Sequence, residues 1–149
     1  MALGLLIPLT GCDLFDDPPR TLHMAAFKGN VKVVRKFISD GISVNAKGTD
    51  GESPLHFAVY GNKIDVAKYL LDQGADVNGI NNSGSTPLHA AAWKGHIAVA
   101  ELLITKGADP NVTNKMGKAP LDWANEQGHA EMATLIQKHG GVQGAKDQH

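Results

Sequence analysis

The chain has 149 residues, 42% of them hydrophobic, and a formal net charge of −1. That length suits one compact domain, and the balanced charge argues against a nucleic-acid binder, which needs a basic face. A single cysteine, Cys12, excludes an intrachain disulfide and a cysteine-based zinc cluster, and the longest apolar run, at the N-terminus, is too short to cross a bilayer as a helix.

Residues 1–12 carry an apolar stretch from Ala2 to Leu9, then the small residues Thr10 and Gly11, then Cys12. This is the shape of a signal peptide cut before a cysteine. Leu9-Thr10-Gly11-Cys12 resembles the lipobox of bacterial lipoproteins. The resemblance implies that Cys12 becomes an acylated N-terminus, anchored firmly because it carries several acyl chains. Asp13 resembles the signal that retains lipoproteins of enteric bacteria in the inner membrane. The alternative reading of the run is an apolar cap on the folded part. Residues 13–19, DLFDDPP, form a short acidic tether that reaches only about 25 Å when extended.

From Arg20 onward one pattern repeats. Leu22, Leu55, Leu88 and Leu121 are 33 residues apart, and so are Ala25, Ala58, Ala91 and Ala124. Gly41, Gly74, Gly107 and Gly140 keep the same period, as do Asn45, Asn78 and Asn111. With Arg20, Ser53, Thr86 and Ala119 as the first slot, the units are 20–52, 53–85, 86–118 and 119–141. Ser53 and Thr86 precede prolines, the order that starts a helix. Gly29, Asn62, Gly95 and Gly128 fill the tenth slot, where a left-handed residue ends the first helix. The second helices then place apolar residues at one-face spacing: Val31, Val34 and Ile38; Ile64, Ala67 and Leu71; Ile97, Ala100 and Ile104. Asp50-Gly51, Ser83-Gly84 and Met116-Gly117 mark hairpin-like tips between units. The N-terminal apolar run is not a degenerate unit, because the slot of Gly41 and Gly74 would fall on Pro8.

This period, with Thr86-Pro87-Leu88-His89 and Ala91, resembles the ankyrin repeat. The resemblance implies an all-α solenoid of four stacked helix-turn-helix units joined by β-hairpin-like tips. Asn125, Ala130 and Gln137 stand in the fourth unit where inner units carry residues such as Val59, Ile97 and Ile104, which suits a terminal unit with a polar outer face. The Gly- and polar-rich residues 142–149 are expected to be a disordered tail.

Seven histidines raise the question of a metal or a catalytic base. His23, His56 and His89 share one slot, His96 and His129 another. The resemblance implies a structural hydrogen bond for the first three, and repetition at one slot favours a fold role over a shared site. His129-Ala130-Glu131 lacks the cysteine pair that a zinc deaminase requires. No phosphate loop, H-E-x-x-H or nucleophile elbow occurs. The expectation is therefore no catalytic residue, metal, cofactor or small-molecule substrate.

In ankyrin proteins the tips and the exposed side of the first helices line a concave face that usually binds proteins. The resemblance places the eighth slot on that face, and it reads Phe27, Tyr60, Trp93 and Glu126, with Lys28, Lys94 and Gln127 beside it. The tips add Thr49, Asp50 and Glu52, then Asn82, Ser83 and Ser85, then Lys115, Met116 and Lys118. Aromatic residues are enriched among interface hot spots, and the acidic-to-basic gradient along the tips would steer a partner of opposite gradient. These residues are the expected partner-binding set. The expected function is a non-catalytic, monomeric protein-binding module, lipid-anchored at Cys12 and facing the periplasm. It would serve as an immunity or inhibitor protein, or as an accessory factor for an envelope enzyme. The alternative is a cytoplasmic scaffold or a fragment of a longer protein.

Overall fold

The computed structural model describes residues 21–145, so Cys12, Asp13 and the 13–19 tether lie outside the described residues. Within them the chain forms helices in pairs: α1 (Leu22–Lys28) with α2 (Val31–Ser39), α3 (Pro54–Tyr60) with α4 (Ile64–Asp72), α5 (Pro87–Lys94) with α6 (Ile97–Thr105), and α7 (Pro120–Glu126) with α8 (Ala130–Lys138). No strand occurs among the described residues. First helices stack on first helices and second on second, giving an all-helical solenoid two layers deep. Its core is shared between neighbours. Leu55, Leu88, Ala58 and Ala91 are fully buried, and so are Val66, Leu70, Val99 and Leu103 of the second helices.

The turns follow local chemistry. Gly29, Gly95 and Gly128 have φ between 72° and 75°, and Asn62 takes the same left-handed role at φ 54°, the non-glycine residue best suited to it. Ser53 and Thr86 cap α3 and α5, their oxygens accepting from the His56 and His89 N–H groups. In the first unit Thr21, one slot later, caps α1 by accepting from Met24 N–H at 3.1 Å. Each tip closes on itself, with Gly48 N–H donating to Glu52 O at 2.8 Å and Asn81 N–H to Ser85 O at 3.0 Å. Successive tips join edge to edge, Asn82 N–H to Asp50 O and Lys115 N–H to Ser83 O, both at 2.9 Å.

Two side-chain ladders run along the stack, the first tying each first helix to the tip of its own unit and the second binding unit to unit. His56 accepts the Ser53 N–H at Nδ1 (3.2 Å) and donates from Nε2 to Ser85 O (3.0 Å). His89 does the same between Thr86 N–H (3.0 Å) and Lys118 O (2.9 Å), while His23 donates to Ala46 O at 2.7 Å. The flanking groups fix which ring nitrogen carries the proton. Asn45 and Asn78 form the second ladder, each accepting at 2.8 Å from the N–H of Asp76 or Asp109 in the next unit.

The fourth pair departs where its neighbours end. Asn125 and Gln137 are exposed, although Val59 and Ala92 at the slot of Asn125 are fully buried. Residues 142–145, the described part of the tail, are hydrogen-bonded back to the array. Asn111 accepts from Val142 N–H at 2.9 Å, and Asp122, in the histidine slot, accepts from Ala119 N–H at 2.8 Å and Gly144 N–H at 2.7 Å. Residues 142–145 thus take the place of a following tip. Truncation after Gly141 is expected to cost about 1–2 kcal/mol, since a hydrogen bond contributes about 1 kcal/mol net. A fall of several degrees in Tm on calorimetry is the expected result, and an unchanged Tm would refute the pinning.

Candidate protein-binding face

The eighth-slot residues stand one per first helix on a common face. Phe27 is 43% and Trp93 44% exposed, while Tyr60 between them is half-buried. The Tyr60 hydroxyl donates to Glu52 at 2.7 Å. Burial first, and then that bond and the Glu52 charge, push its pKa above the ordinary phenol value. Lys94 lies over the Trp93 ring at 4.9 Å, a contact that keeps the ring oriented at modest energetic gain. Glu126 is exposed and pairs with Lys118 at 2.8 Å.

The tips supply the opposite wall. Ser83 Oγ donates to Asn81 Oδ1 at 2.7 Å, and Ser85 Oγ accepts from Asn114 at 3.4 Å. Asn82 is exposed and reaches Thr49 O at 3.4 Å, and Met116 is 61% exposed. The charge gradient is narrower than the residue types suggest. Glu52 is held by Tyr60 and by Asn81 (3.3 Å), and Lys118 by Glu126. Asp50 and Lys115 remain without an ion pair among the described residues.

Two clefts gather part of the expected set. One, of about 130 Å³, is lined by Tyr60, Ser83, Ser85 and Trp93 together with Ala90 and Trp123. The other, wider at about 630 Å³, is bordered by Lys115, Met116, Lys118 and Glu126 near Gly144. Phe27, Lys28, Thr49 and Asp50 line neither cleft. Lys28 closes α1, and Gln127 follows α7 as its C-cap.

A second row escaped the sequence reading. The fifth slot carries Met24, Phe57, Ala90 and Trp123, one helical turn before the eighth and therefore on the same face. Phe57 packs edge-on to His23 (5.4 Å) and Tyr60 (6.4 Å). Trp123 lies under Lys118 at 4.5 Å. The same 33-residue comparison, applied one turn earlier, reveals this row.

The histidines behave as structural elements. Burial lowers the pKa of His56 and His89, with partial opposition from the backbone carbonyls they bond. His89 borders the smaller cleft, but both its ring nitrogens are engaged. His96 and His129 hydrogen-bond Tyr60 O (3.4 Å) and Trp93 O (3.1 Å) of the preceding first helix, which steadies the C-terminal ends that carry the aromatic row. Among the described residues no group of three His, Cys, Asp or Glu could hold a metal ion. Every buried side-chain polar atom among them is hydrogen-bonded.

No curated protein matches the chain. A family model described as ankyrin repeats (3 copies) matches residues 22–114, a span running from α1 through α6 and the loop beyond it. With helix pairs stacked as described, the chain belongs to the ankyrin-repeat family, whose repeats form protein–protein interaction modules.

Proposed function

We propose that the chain is a non-catalytic binding module that captures a protein partner between its first helices and its tips. The α7–α8 pair acts as a fourth, terminal repeat, a reading supported by its exposed Asn125 and Gln137 and by the hydrogen bonds that join it to the third unit, from Asn111 to Gly140 O and from His129 to Trp93 O, both at 3.1 Å. The observation that carries the binding proposal is the aromatic row. Phe27 and Trp93 are both more than 40% exposed at the same slot of different units, with Tyr60 between them. Aromatic side chains held on rigid helices lose little entropy on binding and anchor interfaces well. Trp93→Ala and Tyr60→Ala are expected to weaken capture of the partner at least tenfold, with the far-UV circular dichroism spectrum retained. Unchanged capture by a folded double variant would sink the reading.

The proposal extends to location. Lipid on Cys12 would hold the module within a short tether of an envelope membrane, facing the periplasm, where it would act as an immunity or inhibitor protein or as an accessory factor for an envelope enzyme. The support is the run Leu9-Thr10-Gly11-Cys12 after an apolar stretch. Incorporation of a palmitate analogue in a bacterial host, lost in Cys12→Ala, is the expected outcome. Absence of label in the wild type would refute the anchor and leave a cytoplasmic scaffold.

A further inference from the structure

The two ends of the array differ. Asn125 and Gln137 make the outer side of the fourth unit polar, as a terminal unit requires, but the first unit keeps apolar residues on its own outer side. The fourteenth and eighteenth slots hold Val66 and Leu70, Val99 and Leu103, then Met132 and Ile136. All six are fully buried, the last two in a unit that no described helix follows. In the first unit the same slots hold Val33 and Phe37, which are only half-buried. Slots that lose cover only where no described helix pair comes before them must face the preceding unit. The seventeenth slot agrees, since the Tyr69 ring receives Arg35 of the unit before it at 4.6 Å. In the first unit that slot is Lys36.

An uncovered strip thus runs along α2, with Val33 and Phe37 one helical turn apart on a shared side. The helix carries Lys32, Arg35 and Lys36 and no acidic residue. Arg35 is taken up by Tyr69, and Lys36 pairs at 3.0 Å with Asp40, which caps the helix. Asp65 stands on α4, which packs on the other side of α2. Lys32 has no ion pair among the described residues, and it lies four positions from Lys36, a like-charge spacing that an acidic neighbour relieves. The strip is therefore apolar with a positive margin.

The chain itself carries the complement. Residues 13–17, outside the described residues, read Asp-Leu-Phe-Asp-Asp, an apolar pair between carboxylates. Phe15 stands six positions before Thr21, so it can reach about 20 Å from the start of α1. The nine-residue α2, packed on α1, is only about 14 Å long, and the whole strip falls within that reach. The run from Ala2 to Leu9 is also apolar, but it has no acidic residue and stands farther from Thr21. From this reach and chemistry we propose that residues 13–17 lie along α2 as an N-terminal cap, Leu14 and Phe15 covering Val33 and Phe37, with Asp16 and Asp17 beside Lys32 and Lys36. Because the segment is joined to the array, its closure is intramolecular and a small apolar contact suffices. The cap sits at the end of the array, away from the aromatic row, and depends neither on the protein-binding proposal nor on lipid at Cys12.

Full-length chains carrying Cys12→Ser test this, because introduced cysteines are then the only thiols. On mild oxidation, Asp16→Cys with Lys36→Cys should close a disulfide within one chain about tenfold faster or more than Asp16→Cys with Gln137→Cys, whose second position is exposed on the fourth unit. Should the first pair not fold, Asp16→Cys with Lys32→Cys gives the same comparison. Leu14→Ser with Phe15→Ser should lower the melting temperature by about 4 °C or more, and Leu5→Ser with Leu6→Ser should leave it within about 1 °C. Equal disulfide rates for the near and far pairs, or an unchanged melting temperature in Leu14→Ser with Phe15→Ser, would overturn the cap. A fall seen only in Leu5→Ser with Leu6→Ser would overturn it in favour of the apolar run. Disulfides that join two chains, at a rate that rises with protein concentration, would overturn it in favour of a second copy on the strip.

Discussion

Replacing His89 with alanine is expected to lower the unfolding free energy by about 2–4 kcal/mol, the cost of leaving two buried backbone groups unpaired. The side chain is only 2% exposed, and it joins Thr86 N–H on its own helix to Lys118 O of the following tip. One ring thus ties the start of α5 to the base of the tip that ends the third unit. His56→Ala should behave alike, because His56 joins Ser53 N–H to Ser85 O with no exposed surface. His89→Asp should do no better than alanine. A carboxylate restores an acceptor for Thr86 N–H but turns an oxygen toward the Lys118 carbonyl. Asp122 succeeds in the equivalent slot because Gly144 offers it an N–H instead. Urea denaturation followed by circular dichroism measures the change. A loss below about 0.5 kcal/mol for His89→Ala would show that water replaces the ring without penalty.

Acidification is expected to destabilise the fold through the same residues. Burial is the largest cause holding His56 and His89 below the ordinary imidazole value of about 6.5, and His96 is lowered in the same direction by burial. In the folded chain these rings stay neutral at a pH where the unfolded chain already takes up protons. The unfolded state then binds more protons, so stability rises with pH across that interval. The contribution is fully present above about pH 6.5 and is lost as the pH falls from there toward the folded values. Each proton changes stability by at most about 1.4 kcal/mol per pH unit. The pair His56 and His89 can therefore impose a slope of up to about 2.7 kcal/mol per unit. Melting temperatures taken from pH 8 to pH 5 should be level at the alkaline end and fall below pH 6.5. His89→Ala should show a shallower fall than the wild type. Equal stability at pH 7.5 and pH 5.5 would refute the assignment.

Much of the fold was legible because each unit is written in local signals. Capping residues, Pro54, Pro87 and Pro120, and the left-handed residues at the tenth slot act over a few positions, and among the described residues they frame the first helix of every pair. The eighth-slot aromatics were legible for the same reason, since a slot on one helix determines its face. Trp123 and Phe57 were equally available to the period but belong to a slot that Ala90 interrupts. The bonds from Val142 and Gly144 to Asn111 and Asp122 were not legible, because those acceptors are distant in sequence and the composition of the segment says nothing of them.

By itself the sequence determined the repeat length, the helix boundaries, the slots that enter the core and the absence of a disulfide. Those properties depend on periodicity, local backbone preference and residue type. Only the tertiary structure decided which polar groups spend their charge on one another. Tyr60 meets Glu52, and Glu126 meets Lys118, because each tip folds back along the helix that follows it. The same packing brings Trp93 and Trp123 to the walls of one cleft over Ala90, since neighbouring helices, far apart in the chain, bound a cavity that no single unit contains.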